Sequence, residues 1–240
     1  KNNLDAIIGL PANIFFGTGI PTLILVLKQH RDNDDVLIID ASKGFVKDGK
    51  NNKLRACDIK RIADTIRNRE NIEGYSCKVS RDKIRQNGYN LNIPRYVDSS
   101  EIAEQYDIYA TMFGGIPENE IDLLHEYWDA LPSLRSDIFV SSEDGSPYAS
   151  VKSADVAKSI NENVDVVELK KSFVDAFTTF PDKLHEFLIT NVLQVREMNA
   201  QDEIANDIFR RLNVIPLIDK YTAYQALSDN WQQIVNDIET

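Results

Sequence analysis

The sequence predicts an α/β fold followed by an all-α region, with the boundary near residue 98. Three observations carry this. Continuous apolar, β-branched runs fill the opening: Ala6–Leu10 (AIIGL), Ile20–Leu27 (IPTLILVL) and Val36–Ala41 (VLIIDA). From about residue 99 the apolar spacing becomes helical. The charge balance changes sign at nearly the same place: residues 1–96 hold 17 Lys and Arg against 11 Asp and Glu, and residues 97–240 hold 10 against 27.

The apolar runs do not alternate with polar residues, so they suit strands buried on both faces. Between the second and third runs, "KQHRDNDD" (28–35) is short, polar and without helical period. A parallel crossover needs about a dozen residues or more, so these strands are expected to be antiparallel neighbours, a hairpin ending an otherwise parallel sheet. "ASKGFVKDGKNNK" (41–53) reads as a basic, glycine-containing loop. Leu54–Arg69 then reads as a helix, with Ile59, Ile62, Ala63 and Ile66 at i, i+3, i+4 and i+7. Ser80 is placed to cap a short helix that Asn87-Gly88 ends, and Pro94 biases Ile93 toward extended backbone.

Past residue 99, Ile121, Leu124, Trp128 and Leu131 share one helical face. Phe173, Ala176, Phe177 and Phe180 share another, as do Leu184, Leu188, Val192 and Val195. Ile208 with Leu212, and Trp231, Ile234, Val235 and Ile238, complete the pattern, while "SSEDGSPYAS" (141–150) reads as a loop.

Composition excludes several classes. At 42% apolar and 27% charged residues, the chain is not globally disordered. Its longest apolar run, Ile20–Leu27, is too short to span a bilayer, so no membrane is expected. Cys57 and Cys77 make no disulfide framework, and three scattered histidines add no metal-ligand cluster, which points to a reducing compartment, the cytoplasm, and to no metal. The sign change in charge allows two surfaces with different partners, or acidic helices that are merely well solvated.

Candidate chemistry is sparse. Gly17-Thr18-Gly19 lacks the third glycine and following helix of a phosphate loop, so it reads as a turn feeding the second strand. Phe15-Phe16, just before it, are either core or a flat wall against which a planar ligand stacks, as around an extruded DNA base. Lys43, Lys47, Lys50 and Lys53, followed by Arg55, form either a solvated loop or a track for a phosphate backbone. Asp40 ends a strand without an obvious partner, and His30, His125 and His185 read as surface or packed residues. No complete active site emerges from spacing, and a chain opening within a few residues of a buried strand reads as a piece of a larger domain.

Several segments carry a resemblance. "IIGLPANIFFGTGIPTLILVLK" with "VLIIDAS", then "GYNLNIPRYV", "TMFGGIPENEIDLLHEYW" and "IPLIDKYTAYQALSDNWQ", resemble in order the modification (methyltransferase) subunit of type I restriction–modification systems. The resemblance implies an adenine-N6 DNA methyltransferase that uses S-adenosylmethionine. It also implies partners: a specificity subunit, a second modification subunit and a restriction subunit, with DNA bound through the whole complex. The implied fold is the C-terminal part of a Rossmann-like methyltransferase sheet, its late strands ending in an antiparallel hairpin, over residues 1–98. An acidic helical assembly region over 99–240 follows. Phe16, and less directly Phe15, would border the target base.

Departures from the family pattern limit what carries over. The family's cofactor glycine loop and Asn-Pro-Pro-Tyr/Phe motif do not occur; "NIPRY" (92–96) lacks adjacent prolines and takes no catalytic role. Both are expected upstream of Lys1. The chain alone is therefore expected to have no catalytic residue, no bound cofactor and no activity. A stand-alone acidic adaptor is the competing reading.

Overall fold

Strand β1 (Leu4–Gly9) and strand β3 (Val36–Asp40) lie side by side and parallel, with Ala6 opposite Leu37 and Gly9 opposite Asp40. Their alternate residues feed two cores. Ala6, Ile8, Leu10, Leu37, Ile39 and Ala41 face one way, where Ile62 and Ile66 of helix α1 (Ala56–Asn68) cover them. Ile7, Val36 and Ile38 face the other way, under Ile84 of α2 (Arg81–Gln86) and under Ile93 and Val97. Both strands are thus buried on both faces, as their unbroken apolar runs predict.

This architecture belongs to a computed structural model whose described residues are 3–99, 106–142, 145–191 and 197–238. The chain forms two units, Lys1–Ile102 with Tyr224–Ser228, and Ala103–Ala223 with Asp229–Thr240.

In the first unit the sheet order is β2-β1-β3-β6, with β2 at Leu23–Leu27 and β6 at Ser76–Val79. Three expectations need correction. β2 pairs antiparallel with β1, not with β3, so the second and third strands are not neighbours. The eight-residue link 28–35 easily passes over one intervening strand, since two strand spacings total roughly 10 Å. β2 and β3 do run in opposite directions, but direction does not fix adjacency.

Second, the sheet is mixed rather than otherwise parallel, because β3 also pairs antiparallel with β6. Third, β2 is not buried: Leu23, Ile24, Leu25 and Leu27 are 46–67% exposed. It is an edge strand, with Val26 alone reaching the core from it. The segment expected as a basic loop is instead a hairpin, β4 (Val46–Asp48) with β5 (Asn51–Lys53), turning at Gly49 with φ of 61°.

A buried ion cluster closes one end of this sheet. Asp5 on β1 is 1% exposed. It holds Lys28 at 2.7 Å, Arg31 at 3.2 Å and Arg69 at 2.9 Å. Arg69, in the left-handed conformation that ends α1, also pairs with Asp35 at 2.8 Å. Burial disfavours the Asp5 carboxylate, but the Lys28 hydrogen bond and the Arg69, Lys28 and Arg31 charges outweigh it and hold its pKa below the usual value.

The second unit is mainly helical: α3 (Ile108–Phe113), α4 (Glu118–Asp122), α5 (His125–Ala130), α6 (Leu134–Ile138), α7 (Val156–Glu162), α8 (Val164–Phe177), α9 (Phe180–His185) and α10 (Glu197–Leu212). α11 (Lys220–Ile238) is divided between the units as given above. The all-α expectation is corrected by a small antiparallel sheet ordered β7-β9-β8, with β7 at Ile116–Pro117, β8 at Phe139–Ser141 and β9 at Tyr148–Val151. Strands of two to four residues are too short to print a period-2 pattern, so the ends of the segment 141–150 read as loop.

The face of Ile121, Leu124, Trp128 and Leu131 is split between α4 and α5, with Ile121 and Leu131 buried and Leu124 exposed. Phe173, Phe177 and Phe180 touch in series at 5.0 and 5.5 Å between ring centres, the first pair tilted and the second edge-to-face. Leu184 lies on α9 and Leu188 in the π-helical turn Glu186–Thr190; Val192 and Val195 fall outside the described residues. Ile208 and Leu212 are buried on α10. The side chains of Val235 and Ile238 also lie outside the described set.

A second buried carboxylate anchors α10. Asp207, 3% exposed, binds Lys183 at 2.6 Å and Arg211 at 2.7 Å, and also Arg210. Burial pushes its pKa up, but hydrogen bonds from Lys183 and Arg211 dominate and lower it to about 2.

Two tests follow from these clusters. Asp5→Asn removes the carboxylate that the 2%-exposed Arg31 side chain binds and should destabilise the chain by about 3–5 kcal/mol in denaturant unfolding. A loss below about 1 kcal/mol would show that the cluster does not hold the sheet. Because Asp207's folded pKa lies below its ordinary 3.8, its stabilisation is complete above pH 3.8 and drains as pH falls toward about 2. Asp207→Asn should flatten that acid limb of the stability profile; an unchanged limb would refute the assignment.

Candidate nucleic-acid interface

The chain leaves β1 at its carboxyl end and returns as β2 after a loop over residues 10–22. Leu10 N–H donates to Thr22 O at 2.8 Å and closes the loop's base. Thr18 N–H reaches Phe15 O at 3.5 Å, forming a turn around Phe16-Gly17, where Gly17 has φ of 81° and a Cβ would meet nothing within 4 Å. A left-handed residue with open space around it suits glycine.

Phe15 is 54% and Phe16 95% exposed, so neither is core. Gly17–Gly19 remains a turn, as expected, although three residues separate it from β2. No helix follows it, so its backbone offers no helix N-terminus to a phosphate.

The lysine-bearing hairpin joins this loop. Asn52 on β5 donates through its backbone N–H to Asn13 O at 2.8 Å and through Nδ2 to Ala12 O at 2.6 Å. Asn13 itself sits at φ of 56°, a left-handed position that asparagine tolerates. Lys47 and Lys53 are on the strands and Lys50 is in the turn, all exposed. Lys47 sits 5.6 Å from the centre of the Phe45 ring. Exposed Lys43 precedes the hairpin. Arg55 belongs elsewhere, bound to Asp58 at 2.9 Å at the start of α1. The structure thus ties the predicted aromatic pair to the predicted basic segment through Asn52, which sequence reasoning missed. Its signal was present only as a polar residue on β5, just past the Gly49–Lys50 turn, and a polar strand residue does not reveal a tertiary partner.

Asp40, expected to lack a partner, has two. Its carboxylate accepts from Ser42 N–H at 3.0 Å and from the Ser99 hydroxyl. Burial opposes ionisation there, yet the Ser42 and Ser99 hydrogen bonds prevail and lower its pKa. Asp40 is therefore a satisfied structural carboxylate. Beside it, Ile93 approaches Gly9 so closely that a Cβ there would lie 2.6 Å from Cδ1. Asn92–Tyr96 thus packs on the sheet, with Ile93–Arg95 forming a 3₁₀ turn. His30, His125 and His185 are exposed. Cys57 and Cys77 are free thiols, and burial raises the Cys57 pKa.

Among the described residues, no group of three or more His, Cys, Asp or Glu is placed to hold a metal, and no helix is long and apolar enough to cross a membrane.

In the second unit, α3 carries an exposed apolar strip. Tyr109, Met112 and Phe113 are 53–70% exposed, and Tyr106 just before the helix is 86% exposed. Tyr109 stacks between Phe113 and Tyr148, each 4.8 Å away.

Residues 1–105 match the family model described as N-6 DNA Methylase. The chain is 41% identical over 109 residues to the type I restriction enzyme MpnII methylase subunit of Mycoplasma pneumoniae, covering 45% of this chain and 20% of that protein. It is 33% identical over 134 residues to the MjaVII methylase subunit of Methanocaldococcus jannaschii, covering 52% and 23%. A solved type I restriction-modification methyltransferase subunit from Streptococcus thermophilus is 47% identical, covers 40% of this chain and 21% of its own, and superposes with a TM-score of 0.40. The chain spans about a fifth to a quarter of the length of these relatives. They are methylase subunits, which does not favour a stand-alone adaptor. Over residues 1–105 the chain is therefore similar to the N-6 DNA methylase family and to the methylase subunits of type I restriction enzymes.

Proposed function

We propose that this chain is part of the adenine-N6 DNA methyltransferase (modification) subunit of a type I restriction–modification complex. In this reading its first unit supplies one wall of the target-base pocket. One observation carries the reading: inside the family-matched residues, two exposed phenylalanines and four lysines stand on segments stapled together by Asn52. An exposed aromatic offers its face to an unstacked base, and lysines beside it neutralise the flanking phosphates.

Phe16 takes the base-facing role because it is nearly fully exposed at the tip of the turn; Phe15 lies closer to the loop's base. The lysines position the strand and carry no sequence information, which in this reading another subunit supplies. S-adenosylmethionine, the methyl donor of the whole enzyme, is held by residues outside this chain.

The second unit serves assembly with the specificity subunit, the second modification subunit and the restriction subunit. The −17 balance of residues 97–240 repels a phosphate backbone, while the exposed α3 strip offers apolar area of the kind interfaces bury. The reading places the protein in the cytoplasm, where its DNA is.

Phe16→Ala in the full-length subunit, assembled with its partners, should lower methylation at limiting DNA by about tenfold, the loss of one aromatic stack. Unchanged methylation removes Phe16 from the pocket. Tyr109→Ser with Phe113→Ser should weaken binding of the specificity subunit by more than about tenfold in a titration, as loss of interface aromatics does. Binding that stays within about twofold would move the assembly surface away from α3.

A further inference from the structure

We propose that Asn52 is a positioning residue: it couples the basic hairpin to the aromatic loop, so that contact with a nucleic-acid backbone sets where Phe16 meets a base. The inference rests on the nucleic-acid reading above and deepens it.

The hairpin cannot hold its own place. It has three cross-strand pairs, Val46 with Lys53, Lys47 with Asn52 and Asp48 with Asn51, and isolated two-stranded ribbons are marginal in water. The loop over residues 10–22 is closed at its base by the Leu10–Thr22 hydrogen bond. The two meet at Asn52, whose backbone and side chain each donate one hydrogen bond to successive carbonyls, Asn13 O and Ala12 O. These carbonyls lie two to four residues before Phe15 and Phe16.

Stability alone does not account for asparagine at this position. Its residue is 6% exposed, and its Oδ1 is buried with no hydrogen-bond partner among the described residues. A buried orphan acceptor is destabilising. The amide is kept despite that, and what its other end does is hold the loop. Lys47, directly across the ladder from Asn52, is an exposed cation on the same short ribbon. A phosphate held by Lys47 is therefore linked through one cross-strand pair and one amide to the backbone that carries Phe16.

The test uses the 240-residue chain and a short single-stranded deoxyoligonucleotide carrying 2-aminopurine in place of adenine, whose fluorescence is quenched by stacking. Four forms are compared: wild type, Asn52→Ala, Phe16→Ala and the double variant. Wild type should bind and quench, and Phe16→Ala should lose most of the quench. Asn52→Ala should lose it to a similar degree while the salt slope of binding stays as in wild type, because the lysines still neutralise the same phosphates. The double variant should be no worse than Phe16→Ala, since residues acting through one contact are non-additive.

A merely structural Asn52 would instead lower the salt slope together with the melting temperature. That result, a wild-type quench in Asn52→Ala, or additive losses would each overturn the proposal. A second readout needs no nucleic acid: amide hydrogen exchange over residues 12–19 should speed up by about tenfold or more in Asn52→Ala. Unchanged exchange overturns the coupling even if the wild type binds. Accelerated exchange with no oligonucleotide binding by the wild type leaves the brace standing and overturns the nucleic-acid reading, and with it the role assigned to Asn52. Should Asn52→Ala not fold, Asn52→Ser, which keeps a shorter donor, is measured with the same readouts and judged by the same outcomes.

Discussion

The first unit depends on a single buried negative charge. Asp5 stands at the start of β1, and the cations it gathers come from three places: Lys28 after β2, Arg31 in the link to β3 and Arg69 at the end of α1. Arg69 also reaches Asp35, next to the first residue of β3. One carboxylate thus ties the starting end of the sheet to its edge strand, its neighbour and its covering helix. An ion this deeply buried is tolerable only when fully partnered. With that end fixed, the carboxyl ends of β1 and β3 are where loops can leave the sheet, and the aromatic loop leaves there.

The two units use the same device with different geometry. Asp207 collects Lys183 and Arg211 near the C-terminal half of α10, and Arg211 continues to Ala176 O at 2.6 Å at the end of α8. Arg211 at that helix end also complements the negative pole of α8. In a unit with a large acidic surplus, the few basic residues are thus partly spent on internal bracing.

What the sequence made legible was whatever apolar pattern dictates over several residues. β1, β3 and α1 announce themselves because their burial on one or two faces is written at every position. Phe15 and Phe16 were ambiguous, since an aromatic pair looks the same in a core or on a surface; only the loop's path resolved it. Strand order was illegible because a short polar link constrains direction and reach, not which neighbour lies between. β7, β8 and β9 were missed because so few residues leave no period. Asn52 and Ser99 were invisible for a different reason: a hydrogen bond between residues 40 or 59 positions apart has no local trace.

The edge strand β2 has a consequence for the chain as a material. Its five residues, LILVL, contain no charge and no proline, and four of them face water. Its outer row of backbone N–H and C=O groups lies beside side chains that water wets poorly. Strongly hydrated salts, which favour apolar burial, act on such a strand before they act on a carboxylate-rich helix. The chain is therefore amphiphilic at the scale of a whole molecule: a sheet margin that sheds water at one end of the sequence, and an acidic, well-hydrated body at the other. Its solubility will follow the salt series more closely than its net charge of −11 implies.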